Sequence, residues 1–130
     1  MSFEKIEPEL EKIASEVVGA AFNVHKAFGP GLLENAYEVC LVHDLIKSGI
    51  KVERQVAIPL VYDGEEVDVA FRVDILVEGK LLVELKAVER ILPIHEAQII
   101  TYLKITGQRL GLLINFNVPL IKEGIKRIVL

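Results

Sequence analysis

Apolar residues recur every three or four positions over the first third of the chain, then mostly at every second position from Val52 to Val77. That change of period predicts helices first and strands after them. A first helix is expected from about Glu7 to Ala27, with Leu10, Ile13, Val17, Ala20, Ala21 and Val24 on one stripe. Phe28-Gly29-Pro30-Gly31 ends it, because proline blocks continuation and glycine permits a turn. A second helix is expected over about Leu32 to Lys47, with Leu33, Ala36, Cys40, Val42, Leu45 and Ile46 mostly inward and Gly49 as its stop.

Three strand-like runs follow. Val52 to Tyr62 ends at the turn pair Asp63-Gly64, and Glu66 to Val77 alternates apolar Val67, Val69, Phe71, Val73 and Ile75 with Asp68, Ala70, Arg72 and Asp74. Leu81 to Val88 comes after Glu78-Gly79-Lys80, so both connections predict antiparallel hairpins. Pro93 opens a helix that runs to about Ile105 and stops at Gly107. Leu110 to Phe116 is almost wholly apolar, as in a strand buried on both faces, and a right-handed crossover makes it parallel to Leu81–Val88. Gly124 to Leu130 alternates again and is read as a final edge strand. The fold class is α/β, bordering on α+β: a mixed sheet with helices packed on it. No repeat, low-complexity tract or linker divides the chain, so one domain over residues 1–130 is expected.

Composition narrows the function. The chain is 52% hydrophobic and 26% charged, which excludes intrinsic disorder. Lys and Arg number 15 against 19 Asp and Glu, a net charge of −4 that argues against a nonspecific DNA-coating protein. Cys40 stands alone, so neither an intrachain disulfide nor a cysteine-based zinc site can form, and a reducing cytoplasm is expected. The acidic, periodic N-terminus does not read as a signal peptide, and no apolar run approaches the roughly 18 residues of a membrane helix.

The chemistry lies in charges set inside apolar strands: Asp74 in FRVDILV, and Glu84 and Lys86 in LLVELKAV. Buried charges need a partner, a metal or an open cleft. Strand periodicity puts Glu84 and Lys86 on one face. A two-residue turn would set Asp74 opposite Val83, on the wrong face. A three-residue turn pairs Val77 with Leu81 and Leu76 with Leu82, sets Asp74 opposite Glu84, and is the register preferred here. Two opposed carboxylates then stand about 5 Å apart at Cβ. They form a hard oxygen site suited to magnesium or manganese, which can polarise a phosphodiester and acidify a bound water. Lys86 would orient that water or stabilise developing negative charge. A buried ion-pair cluster without chemistry is the alternative.

Asp74, nine intervening residues and Glu84-Leu85-Lys86 resemble the D…ExK signature of the PD-(D/E)XK nuclease superfamily, the restriction-endonuclease-like fold. Gly31-Leu32-Leu33-Glu34-Asn35-Ala36-Tyr37 fits the GxxExxY pattern of a group of small proteins in that superfamily, and His95-Glu96-Ala97-Gln98 with Tyr102-Leu103 resembles that group's following helix. The resemblance implies an αβββαβ core with an extra N-terminal helix and the C-terminal edge strand. It implies Asp74 and Glu84 as metal ligands for Mg2+ or Mn2+, Lys86 as the catalytic lysine, Glu34 as an extra acid near the metal, and Gln98 beside the site. The implied activity is hydrolysis of DNA or RNA by water activated at the ion.

Other residues are weighed alone. Glu34 and Tyr37 share a helical face, with helix capping the other role for Glu34. His95, Gln98 and Tyr102 share another. Tyr102 is read as a packing residue with a polar tip, and His95 as a base, a phosphate contact or a helix-start residue. His25 and His43 read as surface or partly packed. Lys86, Arg90, Lys104, Arg109, Lys122, Lys126 and Arg127 are candidates for a phosphate-binding rim. The competing reading is a nuclease-fold interaction module, weak or inactive in catalysis, acting through an unidentified protein partner. A homodimer fits either reading, and a membrane partner fits neither.

Overall fold

Pro8 at the first helical position and the acids Glu9 and Glu11 in the first turn suit the start of helix α1, Pro8–Phe28. The computed structural model describes residues 5–130, so the reading of the first four residues as part of an acidic N-terminus lies outside it. All six residues of the expected α1 stripe are buried, joined by Ala14 and His25. Gly29, at φ 65, ends the helix by donating its N–H to the His25 carbonyl at 2.7 Å.

Helix α2, Glu34–Lys47, begins two residues later than expected because Leu33 is extended. Its inward face also differs. Tyr37, Glu38, Leu41, Val42 and Leu45 are buried, whereas Leu33 and Ile46 are exposed. The rotation has a polar cause. Tyr37 seats its ring on Phe116 with centroids 4.4 Å apart, and Glu38 turns inward to meet Arg54 and Gln55.

Five strands form one sheet among the described residues, in the order β1-β2-β3-β4-β5. They are β1 Val52–Tyr62, β2 Glu65–Val77, β3 Leu81–Lys86, β4 Leu110–Asn115 and β5 Ile125–Val129. The first three form an antiparallel meander. Helix α3, Pro93–Thr106, carries the chain across to β4, which is parallel to β3 as expected, and β5 closes the other edge antiparallel to β4. A short 3-10 turn, Ile121–Gly124, precedes β5. The order from α2 to β4 is the αβββαβ core, with α1 preceding it and β5 following.

Two apolar layers hold the sheet. Ile75, Val77, Leu81, Val83, Leu85, Leu112 and Ile114 pack with α1 and α2, while Leu82 and Leu113 pack with Ile99 and Leu103 of α3. Burying one such side chain contributes about 2 kcal/mol. Gly111 brings α3 close, because a Cβ there would stand 2.8 Å from Ile99 Cδ1. Strand β3 stops at Lys86 rather than Val88 because Val88 finds other partners. The buried Asn115 side chain accepts its N–H at 3.0 Å and donates to its carbonyl at 2.9 Å. That clamp fixes the chain just after Lys86.

Among the described residues no helix is long and apolar enough to cross a membrane.

Candidate active site

The β2–β3 hairpin adopts the three-residue register, pairing Val77 with Leu81, Leu76 with Leu82 and Ile75 with Val83. Backbone pairing then stops. At the next position side chains take over: Glu84 Oε1 accepts the Asp74 N–H at 3.1 Å, and Asp74 Oδ2 accepts the Leu85 N–H at 2.9 Å. The strands part because each carboxylate occupies the place of a main-chain carbonyl. Both acids are thereby aimed by rigid backbone donors, and they lie side by side.

That proximity is costly. Glu84 is only 8% exposed. Burial, and then the charge on Asp74, push its carboxyl up to about 8, and the two carboxyls are near enough to hydrogen-bond one another. Lys86 opposes the rise with its positive charge. Two carboxyls in such contact need a proton or a cation between them.

Glu34, the first residue of α2, joins the same field. Its carboxyl is raised by partial burial and by Asp74, and lowered by Lys86 and by a hydrogen bond from the Ala87 backbone. Ala87 lies in the segment that Asn115 clamps. Lys86 itself makes no ion pair within 4 Å among the described residues, so its ammonium is not committed to a single acid. Tyr102 packs its ring against Phe71 at 5.4 Å, and its hydroxyl is raised by burial and by the charges of Glu84 and Asp74. It is thus a packing residue whose polar tip feels the site.

No hydrogen bond or ion pair among the described residues joins the remaining candidates to these acids. Gln98 is exposed on α3 and makes no side-chain hydrogen bond among the described residues. His95 Nδ1 accepts the Leu92 N–H at 2.9 Å, so it caps the start of α3. His25 is buried, with Nε2 at 2.8 Å from the Val118 carbonyl oxygen, and His43 is exposed. Tyr37 holds the turn before α2, donating to the Gly29 carbonyl at 2.6 Å and accepting the Leu32 N–H at 3.1 Å. Lys126 and Arg127, of the expected basic rim, form exposed ion pairs with Glu96 and Glu11.

Sequence reasoning missed Glu38, Arg54 and Gln55. Glu38 is 3% exposed and accepts from Arg54 Nε at 2.9 Å and from Gln55 Nε2 at 2.8 Å. Gln55 Nε2 also stands 3.5 Å from Asp74 Oδ1. The i, i+4 spacing of Glu34 and Glu38 was a usable signal, since it puts both acids on one helical face. Nothing in the alternation of β1 marks Gln55.

Asp74 and Glu84 fit a hard divalent ion, because its charge would relieve the repulsion between two neighbouring carboxylates. Among the described residues no three His, Cys, Asp or Glu side chains converge into a ready cage.

Comparison with curated proteins and with solved structures found no match. A family model of the PD-(D/E)XK nuclease superfamily matches residues 11–128, a span that reaches from α1 to β5 and contains Asp74, Glu84 and Lys86. The chain belongs to the PD-(D/E)XK nuclease superfamily.

Proposed function

We propose that this chain, as one domain over residues 1–130 and a member of the GxxExxY group, hydrolyses phosphodiester bonds in DNA or RNA. Superfamily membership suggests metal-dependent nuclease activity. The observation that carries the finer reading is the side-by-side placement of Asp74 and Glu84, each oriented by a main-chain N–H, with the charge of Lys86 acting on Glu84. Asp74 and Glu84 would hold Mg2+ or Mn2+, with Glu34 beside them. When bound, such an ion supplies charge neutralisation at the phosphate and acidifies water.

The chain's own groups do the rest. Lys86 offers an uncommitted ammonium to the developing charge on phosphate oxygens. Glu34 adds a carboxylate beside the ion, where it could accept a hydrogen bond from metal-bound water. The backbone donors to Asp74 and Glu84 keep the ligand oxygens aimed without reorganisation. Gln98 stays in the proposal on the resemblance alone. Cutting both strands of a duplex would call for two copies of the chain.

The alternative, an interaction module acting through a protein partner, is favoured by one observation. The β1–β2 arm exposes Val61, Tyr62 and Val69.

The test is a cleavage panel of single- and double-stranded DNA and RNA with Mg2+ or Mn2+, beside Lys86→Ala and a chelator. Cleavage lost in both controls, with Lys86→Ala still folded, is the expected result. Full activity in Lys86→Ala would sink the mechanism, and no cleavage of any substrate would favour the interaction module.

A further inference from the structure

Gln55 lies in β1, at the edge of the sheet, yet its φ is 50. A non-glycine residue rarely holds that left-handed conformation inside a strand, and it persists only where the surroundings enforce it. The β1–β2 ladder pairs Arg54 with Ile75 and Val56 with Val73, but leaves out Gln55 and Asp74. Across this gap β2 changes faces. Val73 packs in the cluster with α3, while Ile75, two residues on, packs with α1 and α2. Alternation alone would put them together. Asp74 sits at the changeover, directly across from the distorted residue.

The Gln55 side chain has a matching role. Its Nε2 lies 2.8 Å from Glu38 Oε1 and 3.5 Å from Asp74 Oδ1. Both facing groups are carboxylates, so only the NH2 end of the amide can face them, and its two N–H bonds can serve both. Glu38 is a firm anchor, being buried and held by Arg54 at 2.8 Å. The other oxygen of Asp74, Oδ2, takes the Leu85 N–H. Asp74 therefore has a donor from β1 on one oxygen and a donor from β3 on the other. The 3.5 Å contact is long, so it orients the carboxylate more than it binds it.

We infer that Gln55 is a positioning residue: anchored by Glu38 and Arg54, it sets the side-chain rotamer of Asp74. The consequence for metal binding rests on the reading of Asp74 as a ligand, whereas the consequence for Asp74 geometry does not.

Two variants suit the strained backbone. Gln55→Gly removes the amide and accepts a positive φ freely, and Gln55→Asn keeps an amide that is too short to reach both acids, in a residue that tolerates this conformation. Asp74 χ1 is read from three-bond NMR couplings in the full chain without metal, and Mn2+ affinity by calorimetry. The expected result is a single Asp74 rotamer in the unaltered protein, averaging in both variants, and Mn2+ affinity reduced roughly 10- to 100-fold. One unchanged Asp74 rotamer in both variants overturns the inference, whereas an averaging rotamer with Mn2+ affinity within twofold of the unaltered protein upholds it and overturns the reading of Asp74 as a ligand. Should the unaltered protein bind no Mn2+, the metal reading fails, and the rotamer measurement alone decides for or against Gln55.

Discussion

Glu84→Gln should stabilise the protein increasingly as pH rises, while destroying the site. Glu84 is buried, and its carboxyl is pushed from 4.5 up to about 8, first by burial and then by the Asp74 charge. Between those values the native protein keeps a proton that the unfolded chain has released. Stability therefore falls as pH rises through the window and levels off above it. At about 1.4 kcal/mol per pH unit, the rise corresponds to about 5 kcal/mol lost between pH 4.5 and pH 9. Glutamine has nearly the same shape and keeps an oxygen to accept the Asp74 N–H, but it carries no charge to bury. Urea unfolding with chelator at pH 5, 7 and 9 measures the effect. The two proteins should be about equally stable at pH 5, with the variant several kcal/mol ahead at pH 9. A gap that does not widen with pH would refute the reasoning. Added Mn2+ should narrow the gap at pH 9, since only the unaltered protein keeps the carboxylate pair.

Three further substitutions probe the supports of the site. Tyr37→Phe removes the hydroxyl that joins Gly29 and Leu32, and should cost about 1–3 kcal/mol in urea unfolding. Glu38→Ala removes the nearest acceptor of both Arg54 and Gln55; because Arg54 is 39% exposed and can rehydrate, the expected loss in thermal unfolding is about 2–3 kcal/mol, below that of a fully buried pair. Gly124→Ala would drive a Cβ into the Asn115 carbonyl oxygen and should lower stability by about 2 kcal/mol or more, read as a lower melting temperature.

Much of the fold was legible because its signals are local and agree with one another. The α1 stripe, the Asp63-Gly64 turn, the apolar run of β4 and the glycine after α3 each specify an element without help from tertiary contacts. The register of β2 and β3 was also legible, because shifting it by one residue would send Leu76 and Leu82 out of the core face. The face of α2 was not. Its orientation is set by Tyr37 meeting Phe116, far along the chain, and by Glu38 meeting Arg54 and Gln55 on β1. A count of apolar residues gives weight to Leu33 and Ile46, which are exposed, and none to a buried glutamate.

The same limit explains the divided outcome at the site. Asp74, Glu84 and Lys86 stood out because each is a charge inside an apolar strand, and such a violation of pattern is where chemistry is expected. Gln55 violates nothing in the one-dimensional pattern, since a polar residue on an edge strand is ordinary. Its signal is conformational: a positive φ, a skipped pair in the ladder and a change of faces in β2. These features have a common cause. Side-chain bonds at Asp74 and Glu84 interrupt the β2–β3 ladder, and the β1–β2 ladder skips a pair at the same residue. A central strand that loses pairing on both sides at one position needs support from elsewhere, and Glu38 with Arg54 supplies it through Gln55. The acids could be read from the sequence because burying them is costly, whereas their support could be read only from the backbone that bends to provide it.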